Sequence, residues 1–377
     1  MMRLSEKGVS LTGIVNDELR IQPSVPQGRS LLLTGEHSLD KIDKAQVEDL
    51  PGNVTPTHLL ETTLVAGKGG RLKHAIVYPE VYVIISSNFA KGVPDDALFS
   101  YIIIFLAGVN TKLADLANPK VQLRLVGVLK SQAWEQSLQR KGSYILAAAT
   151  LNQFLRRVIT LGVGNPDIYL VVTEEDMIDF MNGRYDSRIT GISPIGGMCI
   201  AGKNALIVED TFGSYSGNDV ATHEFGHMLG APHDQYPPTY EDMCGWSLGY
   251  IMSYIDGGQR KHHFSPCSRY LIHKSLSEKD ERCIELTFVQ DYMEYLPGIL
   301  PGSVFDGNKF CQSHHRGTPG IYFPPQSPRT LYYCRVTCKG PPDVHGSFLY
   351  FTHNAPEGTP CYQEIPNAIC ELGRCVE

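Results

Sequence analysis

One stretch decides the fold of this chain: His223-Glu224-Phe225-Gly226-His227-Met228-Leu229-Gly230-Ala231-Pro232-His233-Asp234. The pattern predicts a helix over residues 217–229, and Gly230 can end it because glycine has no Cβ to oppose a sharp reversal of the chain. Four residues rotate a helix by about 400°, so His223 and His227 lie on the same face, one turn apart. Both imidazoles can therefore reach a single metal ion.

The reversal after Gly230 brings His233 forward as a third nitrogen ligand. Three neutral histidines leave one coordination position open to water, which is typical of a catalytic zinc ion, whereas a structural site closes with a fourth protein ligand, usually cysteine. Glu224 is offset from both helical imidazoles, so we expect it to act as general base toward a zinc-activated water and not as a ligand. The sequence thus predicts one catalytic Zn2+.

Upstream of this string, two kinds of segment alternate along the chain. In one kind the apolar residues form short runs, as in buried strands, and in the other they recur every three to four positions, as in amphipathic helices. We expect strands over residues 76–78, 81–85, 121–129, 168–172 and 206–208, and helices over residues 94–116 and 144–161. Strands that alternate with helices favour an α/β fold with right-handed crossovers. Proline and cysteine become frequent beyond residue 296, and we expect regular structure to become sparse there.

Length and composition exclude several classes of protein. A chain of 377 residues predicts two or three compact units. Its hydrophobic content of 42% and charged content of 19% indicate a folded globular protein. A net charge of -7 without a long basic run argues against nucleic acid as a partner. The longest apolar stretch, residues 101–109, is about half as long as a membrane span, so we expect no transmembrane segment.

The cysteines divide the second half of the chain into two units. All 10 lie at or after Cys199, in a group of four and a group of six. Even groups predict disulfides within each unit and an oxidising compartment, whereas a zinc ribbon, the alternative, would need paired C-x-x-C spacings. We expect a catalytic unit at residues 75–295 and a small cysteine-rich module at residues 296–377.

The complete pattern H-E-x-x-H-x-x-G-x-x-H resembles that of the metzincin zinc endopeptidases, and the Asp234 that follows resembles their reprolysin (adamalysin) branch. The resemblance implies a metzincin-type catalytic domain, with a twisted mixed sheet, long helices, a zinc helix and a methionine turn. Asp234 would anchor the turn beneath the site. Met252, in the sequence Tyr250-Ile251-Met252-Ser253-Tyr254, would form an apolar floor under the metal.

The same resemblance assigns further residues to the catalytic unit. It implies disulfides Cys199–Cys283 and Cys244–Cys267, although four cysteines allow three pairings. Residues 191–199 are similar to the strand at the edge of the family's cleft. Gly191, Ile192, Ser193 and Ile195 would then form the substrate cleft edge, where a peptide adds as an extra strand.

Tyr254 has two interpretations. It stands two residues after Met252, as the switchable tyrosine does in astacins and serralysins, where the phenol could stabilise the oxyanion of the reaction. An astacin- or serralysin-like protease that uses Tyr254 is thus an alternative within the enzymes. In the other interpretation, Tyr254 packs in the wall of the specificity pocket.

The flanks also carry resemblances. Residues 11–23 look like the end of a reprolysin prodomain, so we expect residues 1–74 to be a prodomain remnant and the signal peptide of a secreted protein to be missing from this chain. Residues 357–375 are similar to the cysteine-rich module of secreted thrombospondin-type relatives. A reprolysin domain followed directly by such a module most resembles the salivary metalloproteases of ticks. That resemblance implies a monomer that cleaves host fibrinogen, fibrin or matrix proteins.

Weaker candidates and one rival function remain. Glu174-Glu175-Asp176 could bind Ca2+ or could be a solvated acidic turn. The adjacent pairs His262-His263 and His314-His315 are expected on the surface. The rival function is a binding or antagonist protein that acts through its cysteine-rich tail and uses the protease fold only as a scaffold.

Overall fold

The computed structural model describes residues 75–181, 184–234, 241–343, 346–361, 365 and 367–377, and five short strands nearer the N-terminus. These strands are β1 (Met2–Ser5), β2 (Gly8–Leu11), β3 (Gly13–Asn16), β4 (Leu19–Pro23) and β5 (His37–Lys41). β1 pairs with β2, and β3, β4 and β5 form a three-stranded sheet. The rest of the predicted prodomain remnant lies outside the described residues.

A five-stranded sheet forms the centre of the predicted catalytic unit at residues 75–295. Four strands are parallel, namely β7 (Glu80–Ile85), β9 (Arg124–Lys130), β12 (Ile168–Thr173) and β16 (Ala205–Glu209), and β15 (Gly191–Ile192) is antiparallel. Their order across the sheet is β15-β16-β12-β7-β9. All of the predicted strands from residue 81 to residue 208 are present, and the fold is mixed α/β.

Shorter strands surround this sheet. Parallel pairs are formed by β6 (Ile76–Val77) with β8 (Lys120–Val121) and by β11 (Tyr144–Leu146) with β13 (Met177–Met181). β10 (Arg140–Lys141) pairs with β11, and β14 (Arg184–Asp186) pairs with β13. The tail adds β17 (Arg335–Pro342) with β18 (Phe348–Asn354), and β19 (Ile369–Glu371) with β20 (Arg374–Val376).

Helices cover both faces of the central sheet. The α-helices of the described residues are α1 (Asp95–Leu113), α2 (Gln132–Glu135), α3 (Ala147–Arg157), α4 (Asn218–Leu229), α5 (Glu241–Cys244), α6 (Pro266–Ser277), α7 (Glu281–Ile284), α8 (Gly307–His314) and α9 (Pro328–Tyr332), of which α8 and α9 lie in the tail. Alternate residues of β7 point to opposite faces, as the period of a strand requires. Val81 and Val83 pack with α1 and α4, whereas Tyr82 and Ile84 pack with α3.

α1 is the one described helix that is long and apolar enough to cross a membrane, judged by length and composition alone. Its apolar window is 67% buried inside the protein, where Ile102, Phe105 and Val109 belong to the core shared with α4. α1 is therefore a core helix of the catalytic unit.

The region after residue 143 differs from the prediction. The helix expected over residues 144–161 starts with strand β11, continues as α3 and ends in a 3-10 helix at Val158–Leu161. Ile145 of β11 pairs with Met177 of β13, a partner more than thirty positions away that a local helical period cannot reveal. The β13–β14 hairpin was not predicted either.

The tail is more regular than its proline content suggests, so the expectation of sparse structure is wrong for the β17–β18 hairpin. Val336 and Cys338 of β17 point inward and form a small core with Phe310 and Ala355. Three disulfides cross this core: Cys311–Cys338, Cys334–Cys370 and Cys361–Cys375. With the two bridges of the catalytic unit, all ten cysteines are paired, and the prediction of disulfides within each group is confirmed.

Candidate active site and metal centre

Helix α4 carries the first two histidines and Glu224 into the protein interior. His223, Glu224 and His227 are 8%, 5% and 7% exposed. α4 ends at Gly230, whose φ of 118° lies in the left-handed region that glycine adopts without steric penalty. A Cβ at Gly230 would also lie 2.3 Å from the Cβ of Ser275 in α6. The tight turn there reverses the chain toward His233.

The three histidines meet at one point. The Nε2 atom of His233 lies 3.1 Å from Nε2 of His227 and 3.2 Å from Nε2 of His223. A tetrahedral zinc ion with Zn–N distances of about 2.0 to 2.1 Å would require nitrogens roughly 3.3 to 3.4 Å apart. The spacing of the three nitrogens is therefore close to what that ion needs.

Hydrogen bonds orient two of these rings. Nδ1 of His223 lies 2.8 Å from the carbonyl oxygen of Ile251, and Nδ1 of His227 lies 2.7 Å from that of Ala231. A carbonyl can only accept, so each Nδ1 carries the proton and donates it, and each neutral ring keeps a lone pair on Nε2. Both lone pairs lie close to Nε2 of His233, an arrangement that fits a cation held among the three nitrogens.

Electrostatics keep the histidines neutral. Burial, together with the neighbouring His233, lowers the pKa of His227 to about 3, although the hydrogen bond to the carbonyl of Ala231 acts in the opposite direction. Burial also holds the pKa of His223 well below its usual value, and it lowers that of His233. A neutral imidazole is the form that binds a metal, so near pH 7 the site does not have to lose protons before binding.

Glu224 is held apart from the histidine nitrogens. One of its carboxylate oxygens, Oε2, lies 2.7 Å from the hydroxyl oxygen of Ser193. Burial raises the pKa of Glu224 to about 8, and the hydrogen bond from Ser193 acts in the opposite direction. A carboxyl group whose pKa lies near neutral pH can both accept and return a proton.

Asp234 connects the turn after His233 to its surroundings. Its Oδ1 accepts hydrogen bonds from the hydroxyls of Ser265 at 2.6 Å and Ser268 at 3.1 Å, at the start of α6. Its backbone N–H donates to the carbonyl of Met252 at 3.0 Å. Met252 itself is fully buried in the core beside α4. Asp234 and Met252 thus both lie beside the segment that carries the three histidines.

Tyr254 lies at the histidine cluster, with its hydroxyl oxygen 2.9 Å from Nε2 of His233. Its side chain is 70% exposed, and its ring contacts Trp246 edge to face at 4.9 Å between centroids. Trp246 also packs edge to face on His233 at 5.8 Å. Trp246 could not be predicted as part of the site, because nothing in its spacing from the histidines shows that the chain folds back over them.

The predicted cleft edge lies beside α4. Gly191 and Ile192 form β15, and Ser193 follows directly. β15 is the last strand on its side of the sheet, so within the described part of the chain no strand pairs with its outer edge. Ile195 is 45% exposed, and the next residue, Gly196, donates its N–H to the carbonyl of His227 at 2.8 Å. An extended peptide could add to this edge beside the histidines.

Two of the weaker sequence predictions, the calcium site and the surface position of His262, are not supported by the structure. The side chains of Glu175 and Asp176 pair with Arg140 and Arg316, so these acids are neutralised by arginines, and the calcium interpretation has no support from the geometry. The expectation that His262 lies on the surface is wrong. His262 is 2% exposed, because Glu357 of the tail covers it, with Oε1 3.4 Å from Nδ1 of the histidine.

The disulfides of the catalytic unit frame the site. Cys199 is bonded to Cys283, and Cys244 is bonded to Cys267. These are the pairs that the reprolysin resemblance implies. The first bridge joins the segment after the cleft edge to α7, and the second joins α5 to the start of α6.

Comparison with known protein families agrees with this geometry. Residues 80–265, which include the central sheet and the whole twelve-residue string, match the reprolysin-type model described as metallo-peptidase family M12. Residues 80–265 form a reprolysin-type metallopeptidase domain of family M12.

Relatives of this metallopeptidase carry matching names. A Bombyx mori protein named as like a disintegrin and metalloproteinase with thrombospondin motifs is 28% identical over 80% of this chain and 44% of its own length. The venom metalloproteinase antarease TserMP_A of Tityus serrulatus is 25% identical over 73% of this chain and 74% of its own length. The human disintegrin and metalloproteinase with thrombospondin motifs 16 is 26% identical over 62% of this chain and 18% of its own length.

This metallopeptidase thus spans less than half of the Bombyx mori and human relatives and about three quarters of the scorpion protein. The three relatives come from a silkworm, a scorpion and a human, so the resemblance to tick salivary enzymes stays a prediction.

Proposed function

We propose that this chain is a secreted zinc-dependent endopeptidase that hydrolyses peptide bonds in extracellular proteins. The observation that carries the proposal is the convergence of the Nε2 atoms of His223, His227 and His233, of which that of His233 lies 3.1 Å from that of His227 and 3.2 Å from that of His223. One zinc ion bound to these three nitrogens would polarise a peptide carbonyl and lower the pKa of a water molecule.

The residues of the chain would perform the remaining steps. A peptide pairs with the outer edge of β15, which aligns its backbone with the site. Glu224 takes a proton from the attacking water and passes it to the leaving amine, as its position beside the histidines and its raised pKa allow. Gly230 and Asp234 hold the turn that carries His233, and Met252 supplies an apolar floor beneath it.

In this proposal Tyr254 is also catalytic, because its hydroxyl donates a hydrogen bond to the oxyanion that forms during the reaction. The distance of 2.9 Å from its hydroxyl to Nε2 of His233 supports this role, because a residue confined to a pocket wall would not need to reach the ligand nitrogens. The proposed enzyme therefore combines a reprolysin scaffold with the tyrosine that astacins and serralysins use.

The proposed domain boundaries, location and substrates rest on the family resemblance and on the relatives. We place the catalytic unit at residues 75–295, the cysteine-rich module at residues 296–377 and the prodomain remnant at residues 1–74. Five disulfides support an extracellular location. We propose extracellular proteins such as fibrinogen, fibrin or matrix components as substrates of a monomeric enzyme.

The experiment measures zinc and proteolysis on the same sample of the oxidatively refolded chain. We expect one zinc per chain, cleavage of gelatin or fibrinogen, loss of cleavage with phenanthroline and recovery when zinc is returned. A folded chain with one zinc that cleaves no protein offered would favour the rival function, in which the tail binds a ligand and the protease fold is a scaffold. A folded chain without zinc would overturn the metal site.

A further inference from the structure

The side chain of Glu224 rests against the cleft-edge segment, which holds it from two sides. The hydroxyl of Ser193 lies 2.7 Å from Oε2 of Glu224 and 3.0 Å from the backbone oxygen of the same residue. The hydroxyl has one proton to donate, and the carboxylate oxygen is both closer and the better acceptor. Ser193 therefore donates to the carboxylate.

Gly191 forms the second side. A Cβ atom at this position would lie 2.7 Å from Oε1 and 2.8 Å from Cγ of Glu224, and 2.6 Å from Cγ1 of Val220. These distances are shorter than real Cβ contacts, so only glycine leaves room for the glutamate where it stands. Gly191 and Ser193 are two residues apart, a spacing that places side chains on the same side of an extended segment.

These contacts of Gly191 and Ser193 matter because a glutamate carboxylate rotates easily about its last side-chain torsion. The rotation of the carboxylate about χ3 is broad, so packing of the methylene groups alone does not fix where the two oxygens point. Among the described residues, no other side chain or backbone N–H donates a hydrogen bond to this carboxylate. Glu224 is 5% exposed, and so the contact with Ser193 has little competition from bulk water.

We propose that Ser193 is a positioning residue that sets the orientation of the Glu224 carboxylate, with Gly191 providing the space. This inference rests on the proposed function, in which Glu224 is the general base. The segment that contains β15 and Ser193 would then have two roles. It would align the peptide substrate, and it would orient the carboxylate of Glu224. Loss of the Ser193 hydroxyl should lower turnover and leave peptide binding intact.

The test compares Ser193→Ala, Ser193→Thr and a control, Ser277→Ala. Ser277 also carries a half-buried hydroxyl, which donates to the carbonyl of Lys274 at 2.7 Å, away from the site. We expect Ser193→Ala to lower kcat roughly 10- to 100-fold, with KM within about twofold of wild type, since a misplaced catalytic group costs rate in this range. Ser193→Thr keeps the hydroxyl and should recover most of the loss, and Ser277→Ala should behave as wild type.

A second readout does not depend on activity. Crystals of the metal-free chain should show one Glu224 carboxylate position in wild type and a rotated or divided position in Ser193→Ala. Gly191→Ala provides an independent variant, because its Cβ should displace the carboxylate and lower kcat while zinc content stays at one per chain. An unchanged carboxylate in Ser193→Ala, or an equal kcat in a cleaving enzyme, would overturn the inference.

The outcomes separate this inference from the proposed function. If wild type cleaves and Glu224→Gln does not, the proposed function stands and the Ser193 variants decide the inference. If folded, zinc-loaded wild type cleaves nothing, the proposed function fails, while the crystals still decide whether Ser193 orients Glu224.

Discussion

The ammonium group of Lys112 in α1 lies 2.6 Å from Oδ1 of Asp219, in the first turn of α4, although only 4% of the lysine side chain is exposed. The same group lies 3.6 Å from Oε1 of Glu357, a tail residue whose side chain is 1% exposed. Burial would lower the pKa of Lys112, but the two carboxylates more than offset it and raise the pKa above 10.5. One charged lysine thus joins α1, the helix of the histidines and the tail.

Replacement of Lys112 by methionine should destabilise the fold. Methionine keeps the apolar volume but leaves the buried carboxylate of Glu357 without its lysine partner, and breaking a buried pair in this way costs about 3 to 5 kcal/mol. The control is Lys130→Met, which removes an ion pair with Asp95 whose side chains are 46% and 65% exposed. That change should cost less than about 1 kcal/mol. Denaturant unfolding measures both, and equal effects would contradict the role given to Lys112.

Replacement of Glu224 by glutamine should remove proteolysis and leave the metal site intact. The amide keeps the size of the side chain and can still accept a hydrogen bond from Ser193, but it cannot take a proton from water. We expect kcat/KM to fall by about 10²- to 10⁴-fold, the usual contribution of a general base. Zinc analysis should still give one ion per chain, and the exposed control Glu285→Gln should cleave normally. Retained cleavage in the zinc-loaded variant would rule out Glu224 as the base.

Zinc should stabilise the folded chain only when the three histidines are present. An ion that binds the native state alone raises the midpoint of thermal unfolding, by an amount that grows with zinc concentration. We expect this rise in wild type and its loss in His223→Ala, which removes one of the converging nitrogens. His273→Ala is the control, because its ring bonds to the carbonyl of Asn118 instead. An equal response in all three proteins would mean that zinc binds elsewhere.

Tyr254→Phe should lower kcat and leave substrate binding unchanged. The variant keeps the ring that contacts Trp246 and removes only the hydroxyl beside His233. Loss of a donor to an oxyanion costs about 10²-fold or more in turnover. Steady-state kinetics on a peptide substrate separate the two roles: a change in KM alone would instead favour the wall of the specificity pocket. Tyr270→Phe, at a side chain 61% exposed on α6, serves as the control.

Asp167 should make the stability of the fold depend on pH. Burial raises the pKa of Asp167 from 3.8 to about 7, although the hydrogen bond from the backbone N–H of Glu80 acts in the opposite direction, so the native state holds a proton that the unfolded chain releases above about pH 4. The contribution of Asp167 to the unfolding free energy is therefore fully present below about pH 4, falls as the pH rises from about 4 to about 7, and levels off above that.

Asp167→Asn lacks this titration. Relative to that variant, wild type should lose roughly 2 to 4 kcal/mol of unfolding free energy between pH 4 and pH 7, and little more above it. Denaturant unfolding at several pH values measures the difference. A constant difference across this range would show that Asp167 titrates normally in the fold.

Structural features that depend only on residues close together in the sequence could be predicted. The offsets between His223, His227 and His233 follow from helical geometry and one glycine turn, and the strand at residues 81–85 follows from a continuous apolar run, which is typical of a strand buried on both faces. The disulfides Cys199–Cys283 and Cys244–Cys267 came from the family resemblance and not from spacing, because four cysteines alone leave three pairings open.

Features that depend on distant partners could not be predicted. Ile145 and its neighbours have a helical period, but pairing with Met177 makes them a strand. His262 lies in a polar stretch, and tail residues that include Glu357 and Gly373 pack against it and bury it. The contact of Ser193 with Glu224 joins residues 31 positions apart, and no local pattern marks it.

The disulfide map separates into two closed sets, one from Cys199 to Cys283 and one from Cys311 to Cys375. Four cysteines can pair in three ways and six in fifteen, so confinement within each set removes most wrong isomers of a ten-cysteine chain. During synthesis the first set leaves the ribosome before the second. The disulfides of the first set can therefore form while the tail is still being synthesised. A protein disulfide isomerase would then have to select among three pairings first and among fifteen pairings afterwards.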